Sequence, residues 1–186
     1  MTATLVLGGA RSGKSAYAER LARESGKEVV YLATSRAGDA EMEARIAHHR
    51  EQRPPHWPTV EEELALADTL RTHCTPGRLV LVDCLTLWLS NLLFSDGRTW
   101  PEVGAVTLPA RFHDERAALL ALLDDGAAGD IVFVSNEVGM GIVPWGALSR
   151  CFADEAGRLN QAVAARADRV VFVAAGLPLV LKGAAC

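Results

Sequence analysis

Short apolar runs recur along the chain, and the longer stretches between them repeat their apolar residues at the spacing of a helix. The short runs are rich in β-branched residues and do not alternate with polar ones. This pattern is typical of parallel strands that are buried on both faces of a sheet. It predicts five such strands, at residues 4–7, 28–33, 79–83, 130–135 and 169–174, and an edge strand at residues 178–181.

The longer stretches predict helices at residues 14–24, 39–50, 61–72, 86–93, 109–123 and 147–167. Strands that alternate with helices indicate βαβ units, so we expect an α/β fold with a mostly parallel central sheet flanked by helices. Residues 95–108 show no period and contain Gly, Asp, Trp and Pro, which favours a surface loop. At this length we expect one domain, spanning residues 1–186.

The composition is that of a folded protein. Of the 186 residues, 49% are hydrophobic and 23% are charged, which excludes disorder, and no apolar stretch is long enough for a transmembrane helix. The four cysteines form no CxxC pair and the N-terminal run lacks the features of a signal peptide, so we expect reduced thiols and a cytoplasmic protein. A net charge of −4 with scattered basic residues argues against a nucleic-acid partner.

The sequence GGARSGKS at residues 8–15 fits GxxxxGK[ST], the pattern of a phosphate-binding loop. A predicted strand precedes this loop and a predicted helix follows it, so backbone amides and the helix dipole would meet at a bound anion. Lys14 would add a charge at the β- and γ-phosphates, and lysines are scarce in this chain. The alternative is a glycine-rich connection with a chance lysine. The predicted nucleotide-binding residues are Gly8, Gly9, Ala10, Arg11, Ser12, Gly13, Lys14 and Ser15, of which Lys14 is also predicted to be catalytic.

Asp83 ends the apolar run LVLVD, and ligands of open α/β sheets bind beyond the carboxyl ends of the strands. A magnesium ion that accompanies a nucleotide in such a fold is held by the loop's Ser or Thr hydroxyl and by an Asp carboxylate. We therefore expect Ser15 and Asp83 to hold Mg²⁺, with Asp83 part of the nucleotide site. An ordinary Asp that caps the next helix is the alternative.

Histidines cluster around residues 48–56, among several arginines. On a helical projection with Met42 at zero, His49 falls at about 340°, on the apolar side, whereas His48 falls near 240°. Neutral imidazole is a good nucleophile toward phosphorus, so one of these histidines could attack a phosphate. A solvated basic helix end is the alternative, and a metal site is disfavoured because His48 and His49 diverge on a helix.

The stretch NEVGMGIVP at residues 136–144 leaves a predicted strand at the same edge of the sheet as the phosphate-binding loop. Its two glycines and its proline indicate an irregular loop, in which Asn136 and Glu137 are available for hydrogen bonds. Loops at this edge often carry function. A tight connector is the alternative.

Taken together, these motifs resemble one enzyme family. GGARSGKS, ATSR at residues 33–36, RIAHHREQRPPHW at 45–57, LVDCLTLWLSNLLF at 81–94 and NEVGMGIVP follow one another along the chain. They look like the motifs of the bifunctional adenosylcobinamide kinase / adenosylcobinamide-phosphate guanylyltransferases of cobalamin biosynthesis. The resemblance covers nearly the whole chain except residues 95–108, and the doubled histidine and NEVGMGIVP are its most specific parts.

The resemblance implies a RecA-like P-loop NTPase fold, a homotrimer and two successive reactions. The first reaction phosphorylates the hydroxyl of the aminopropanol arm of adenosylcobinamide with ATP or GTP. The second transfers GMP from GTP to that phosphate through a covalent histidine–GMP intermediate, and yields adenosyl-GDP-cobinamide and pyrophosphate. The implied partners are therefore adenosylcobinamide, its phosphate, GTP and ATP, together with Mg²⁺.

The resemblance also implies roles for particular residues. His49 matches the family's nucleophile, in agreement with the helical projection. The family's guanine-nucleotide contacts correspond to the phosphate-binding loop, Thr34, Ser35, Arg36, Arg50, Glu51, Gln52, Arg53, Glu61 and Asp83.

The position of His49 leaves the reaction geometry open. A helix from Asp39 to His49 rises about 15 Å. If this helix leads away from the edge of the sheet, His49 cannot reach the α-phosphate of a nucleotide in the phosphate-binding loop. Either the helix lies across the edge, or it moves, or GTP binds differently in the two reactions.

Two other functions fit parts of the sequence. A P-loop kinase of another small metabolite would leave the histidines structural. A RecA-like ATPase that acts on nucleic acid would share the fold, but the negative net charge argues against it.

Overall fold

The computed structural model describes residues 2–35 and 54–184. The strands in these ranges are β1 (Ala3–Gly8), β2 (Glu28–Ala33), β3 (Thr59–Glu61), β4 (Arg78–Asp83), β5 (Asp130–Asn136), β6 (Arg169–Ala174) and β7 (Leu177–Lys182). The helices are α1 (Lys14–Glu24), α2 (Leu66–His73), α3 (Leu85–Leu93), α4 (Ala110–Asp125) and α5 (Ala147–Arg166).

The described strands form one sheet in the order β3-β2-β4-β5-β1-β6-β7. All neighbours are parallel except β6 and β7, which form an antiparallel pair. Gly8 at the end of β1 pairs with Asn136 of β5, and Asp83 at the end of β4 pairs with Ala33 of β2. The ends of these four strands therefore meet along one side of the sheet, which we call the carboxyl edge.

Each face of the sheet is covered by helices. On one face α2, α3, α4 and α5 pack over the strands and bury side chains such as Trp88, Phe112 and Phe133 completely. On the other face α1 packs through Tyr17 and Ala18. None of the described helices is both long enough and apolar enough to cross a membrane.

Most of the predicted elements are confirmed. The predicted strands lie within one residue of β1, β2, β4, β5, β6 and β7, and four of the predicted helices lie within two residues of α1, α3, α4 and α5. Residues 95–108 contain no helix or strand. The helix predicted at residues 39–50 lies outside the described residues.

The helix predicted at residues 61–72 is wrong at its start. Glu61 is the last residue of β3, which pairs with β2, and α2 begins only at Leu66. Between them the carboxylate of Glu62 accepts hydrogen bonds from the backbone N–H groups of Leu64 and Ala65, both at 2.8 Å. Pairing with the sheet therefore outweighs the helical pattern at these positions.

Candidate active site

The phosphate-binding loop joins the end of β1 to the start of α1 at the carboxyl edge. It closes on itself where the Ser12 N–H donates to the carbonyl oxygen of Gly9 at 3.3 Å. A side chain at Gly8 would come within 2.4 Å of Ser12 Oγ and 2.5 Å of the carbonyl oxygen of Val173. Glycine at this position therefore lets the loop fold tightly against β6.

The turn between β6 and β7 supports the loop from the side. The Gly176 N–H donates to the carbonyl oxygen of Ser12 at 2.8 Å. Gly13, which precedes α1, has a φ of 92°, and a Cβ there would lie 3.0 Å from Gly176 Cα. Only glycine combines this backbone angle with so close an approach.

Lys14 is the first residue of α1 and is only 9% exposed. Its Nζ donates to the carbonyl oxygen of Gly9 at 3.2 Å. Burial lowers the pKa of Lys14, while the nearby carboxylate of Asp83 opposes this effect by favouring the charged form. A phosphate group held by the loop would give this buried charge a further partner.

Asp83 is held at the end of β4, with one strand between it and β1. The hydroxyl of Tyr31 donates to Asp83 Oδ2 at 3.1 Å. Tyr31 and Leu81 are buried beneath α1, and alternation along β4 places Asp83 on the same face of the sheet. Because α1 begins with Lys14, the carboxylate and the ammonium group lie on one side of the carboxyl edge.

A network of neutral polar groups links the ends of β2, β4 and β5. The Thr34 hydroxyl, which is fully buried, donates to the carbonyl oxygen of Cys84 at 2.7 Å and accepts from the Cys84 N–H at 2.8 Å. Asn136 Nδ2 donates to Thr86 Oγ1 at 2.7 Å, and Cys84 Sγ lies 3.1 Å from the same oxygen. Burial raises the pKa of Cys84 to about 11, so this thiol stays neutral and unreactive near pH 7.

Two helices are attached to this edge through asparagines. Asn91 of α3 donates to the carbonyl oxygen of Thr34 at 2.7 Å. Asn160 of α5 donates to the carbonyl oxygen of Asn136 at 3.3 Å and accepts from the Ser135 hydroxyl at 2.7 Å. The side chains of Asn91 and Asn160 therefore fix the strand ends from which the loops of the carboxyl edge begin.

The structure brings several predicted site residues together. The phosphate-binding loop with Lys14 and Ser15 lies at the same edge as Asp83, and Thr34 and Ser35 directly follow β2. The hydroxyl of Thr34 donates a hydrogen bond to the backbone carbonyl of Cys84. The contact that the structure shows for this side chain is therefore with the end of β4. Glu61 is exposed at the end of β3. One strand, β2, separates β3 from β4, so the axes of β3 and β4 lie about 10 Å apart.

The remaining predicted site residues cannot be placed. They lie outside the described residues, and their roles stay predictions: Arg36, His49, Arg50, Glu51, Gln52 and Arg53.

The oxygen donors of the site suit a magnesium ion. Within residues 2–35 and 54–184 there is no group of three His, Cys, Asp or Glu side chains that could hold a metal. A magnesium ion that binds together with a nucleotide needs fewer protein ligands, because water molecules and phosphate oxygens fill its other coordination positions. The Ser15 hydroxyl and the Asp83 carboxylate, a hard donor pair at the phosphate-binding loop, fit such an ion.

Sequence reasoning missed Tyr31, Thr86 and Asn160. The partners of Thr86 and Asn160 at Asn136 are 50 and 24 residues away in the chain, so no local pattern connects them. Tyr31 left a weak signal, because it is the one aromatic residue in the otherwise aliphatic end of β2.

Two solved ATPase structures share this fold. The ATPase EscN from the type III secretion system of enteropathogenic E. coli has a TM-score of 0.59 at 12% identity, over 94% of this chain and 43% of its own. A prototypical ATPase from the type III secretion system of pathogenic bacteria has a TM-score of 0.57 at 12% identity, over 96% of this chain and 56% of its own. Together with the phosphate-binding loop, this likeness confirms the predicted P-loop NTPase fold, with a mostly parallel sheet flanked by helices.

The chain belongs to the cobinamide kinase / cobinamide phosphate guanyltransferase family, which matches residues 4–181. It is 57% identical to the bifunctional adenosylcobalamin biosynthesis protein CobP of Pseudomonas aeruginosa over 179 residues, 96% of each chain. It is 43% identical to the bifunctional adenosylcobalamin biosynthesis protein CobU of Escherichia coli over 180 residues, 96% of this chain and 98% of the relative. The predicted class of enzyme, a bifunctional kinase and guanylyltransferase, is therefore confirmed.

Proposed function

We propose that this enzyme phosphorylates the aminopropanol hydroxyl of adenosylcobinamide and then transfers GMP from GTP to the new phosphate. The products are adenosyl-GDP-cobinamide and pyrophosphate, an assembly step for the nucleotide loop of cobalamin. The observation that carries the proposal is the buried Lys14 in a braced phosphate-binding loop beside Asp83, in a chain of this family. ATP or GTP is the phosphate donor.

In the first reaction the phosphate-binding loop holds the β- and γ-phosphates. The acceptor hydroxyl oxygen bonds to the γ-phosphorus and releases its proton to water, while the bond from this phosphorus to the β-phosphate oxygen breaks and the nucleoside diphosphate leaves. The charge that develops on that oxygen is stabilised by Lys14 and the backbone N–H groups of the loop. Ser15 and Asp83 would hold Mg²⁺, which would supply positive charge to neutralise the phosphates.

In the second reaction an imidazole nitrogen of His49 bonds to the α-phosphorus of GTP, and pyrophosphate leaves. A phosphate oxygen of adenosylcobinamide phosphate then attacks the same phosphorus, the phosphorus–nitrogen bond breaks and the imidazole is restored. The inward position of His49 on the helical projection supports this role. Arg36, Arg50, Glu51, Gln52, Arg53 and Glu61 contact the guanine nucleotide in this proposal, with Thr34 and Ser35 beside them.

The proposal includes an assembly and a location. We infer a homotrimer in the cytoplasm, with small-molecule substrates and no nucleic-acid partner. The support is the resemblance of the motifs and the negative net charge of the chain.

Incubation with GTP and Mg²⁺ followed by intact-mass spectrometry tests the guanylyl transfer. The wild-type chain and His48→Ala should each gain the mass of one guanylyl group, and acid should remove it because phosphorus–nitrogen bonds are acid-labile. His49→Ala should gain nothing. The two variants are matched, since each removes one imidazole from adjacent positions.

Retention of the guanylyl group by His49→Ala would assign the nucleophile to another residue. A wild-type chain that transfers the γ-phosphate of GTP to a small alcohol but never gains GMP would instead be a plain P-loop kinase, and the proposed second reaction would be wrong.

A further inference from the structure

An apolar groove lies between α3, α5 and the segment 137–146 that joins β5 to α5. We call it the α3–α5 groove. Its cavity has a volume of about 360 Å³, within the range of small-molecule sites. Its apolar lining comes from Leu93, Phe94, Val138, Pro144, Leu148 and Phe152, and none of the described residues that line it is charged. Ala153 and two serines, Ser90 and Ser149, complete the lining.

The segment beside the groove exposes more apolar surface than a folded protein usually leaves in water. Met140 is 79% exposed, Ile142 97%, Val143 76% and Trp145 91%. Large side chains that are exposed side by side mark a binding surface. The motif NEVGMGIVP therefore contributes three of these apolar residues, and Trp145 follows it directly; the phosphate chemistry uses none of the four.

Both walls of the groove start at the phosphate site. The Glu137 N–H, at the start of the joining segment, donates to the carbonyl oxygen of Gly8 at 3.1 Å. The other wall, α3, begins two residues after Asp83. Asn136 Nδ2 ties the two walls together through its bond to Thr86 Oγ1.

The groove extends along α3 toward the carboxyl edge. Ser90, which lines the groove, follows Thr86 by one helical turn, or about 6 Å along α3. A ligand seated in the groove therefore lies near the carboxyl edge, which also carries the phosphate-binding loop.

We propose that the α3–α5 groove and the exposed side chains of its joining segment hold the corrin ring of the phosphate acceptor. This inference rests on the proposed function. A corrin is a broad apolar macrocycle with uncharged amide side arms, and this lining offers apolar contact with hydroxyls for amides. The cavity is smaller than the whole ring, so the rest of the ring packs against Ile142 and Trp145. A second nucleotide does not suit the groove, because none of the described residues that line it is charged, and the nearby guanidinium of Arg150 is bonded to the carbonyl oxygens of Pro144 and Trp145.

Kinetics of the kinase reaction in matched variants test the site. Phe94→Ser and Ile142→Ser change side chains that are 51% and 97% exposed, so both variants should fold. Each should raise the KM for adenosylcobinamide roughly tenfold, because an apolar contact with the ring is lost. The KM for GTP and the GMP mass gain should stay at wild-type values.

Leu181→Ser is the control. Leu181 is 57% exposed on β7, next to Lys182, which pairs with Val170 near the start of β6 and so lies away from the carboxyl edge. This variant should leave the KM for adenosylcobinamide unchanged. Equilibrium dialysis of adenosylcobinamide, read by the absorbance of the corrin, measures binding directly, and sedimentation gives the number of subunits.

Each result supports or overturns the proposal. An unchanged KM in Phe94→Ser and Ile142→Ser, with an active wild-type enzyme, places the corrin elsewhere and leaves the proposed function intact. A raised KM accompanied by loss of subunits makes the groove an interface between copies of the chain. If the wild-type enzyme neither binds nor phosphorylates adenosylcobinamide, the proposed function and the groove's role both fall.

Discussion

Lys14 brings a positive charge to a position where water reaches little of its side chain. Its nearest fixed partner is the carbonyl oxygen of Gly9, which is a weaker partner than an anion. The phosphates of a bound nucleotide would give the ammonium group of Lys14 anionic partners. We therefore expect Lys14 to matter for ligand binding and catalysis more than for the stability of the fold.

Lys14→Met should therefore lower kcat/KM for phosphoryl transfer by about 10²–10³-fold, the usual loss when one donor to a developing phosphate charge is removed. The midpoint of thermal unfolding should not fall, because a buried charge is replaced by an apolar chain of similar length. Lys27→Met is the control, since Lys27 pairs with Asp130 away from the carboxyl edge. A Lys14→Met enzyme with near-normal phosphoryl transfer would remove Lys14 from catalysis.

Thr34 acts on the site through the backbone of Cys84. Thr34→Val keeps the shape of the side chain but leaves a buried N–H and a buried carbonyl without this partner, so it should lower the free energy of unfolding by about 1–3 kcal/mol. Thr34→Ser keeps the hydroxyl and should lose much less. Urea unfolding followed by circular dichroism measures both, and equal losses would show that the hydroxyl is not what holds this edge.

The candidate site could be predicted from the sequence only in part at this scale. The positions of the phosphate-binding loop and of Asp83 could be predicted, because the first is a motif of consecutive residues and the second is the end of one apolar strand. The bond from Tyr31 to Asp83 and the bonds of Thr34 to Cys84 join residues 52 and 50 positions apart. Such pairs depend on strand register, which a single sequence does not specify.

Among the elements, the connection from β1 to α1 depends on the turn between β6 and β7. Gly13→Ala should force Gly176 away, because its Cβ would start 3.0 Å from Gly176 Cα. GTP binding, measured by calorimetry, should weaken by roughly tenfold or more, since small displacements at a reacting site are costly.

Gly77→Ala separates strain from contact. Gly77 has a similar positive φ of 81°, but nothing lies within 4 Å of a Cβ placed there. Both variants should lose about 1–2 kcal/mol of stability from the left-handed backbone. Only Gly13→Ala should lose GTP affinity, and equal GTP binding in the two variants would contradict the role given to Gly176.

The elements themselves were predicted well where the chain is buried on both sides. Continuous apolar runs identified the central strands because parallel strands covered by helices need no polar face. The three-residue strand β3 was missed, since Thr59–Glu61 owes its form to pairing with β2. The start of α2 was misplaced for the same reason.

At the scale of the whole molecule, one sheet carries one phosphate-binding loop in the described residues, yet the family's description names two reactions. In the proposed function the carboxyl edge supplies Lys14, Ser15 and Asp83 for the phosphates, and the α3–α5 groove lies beside this edge. We infer that the same edge serves both reactions in turn, with His49 as the nucleophile of the second reaction.

Isotope labelling of GTP tests this central claim most directly. The enzyme is incubated with adenosylcobinamide, Mg²⁺ and GTP that carries distinguishable labels on its α- and γ-phosphorus, and the corrinoid product is isolated. The account predicts one γ-derived and one α-derived phosphorus in the same product, joined as a diphosphate. A product that carries the γ-label alone, with no α-label after prolonged incubation, would contradict it.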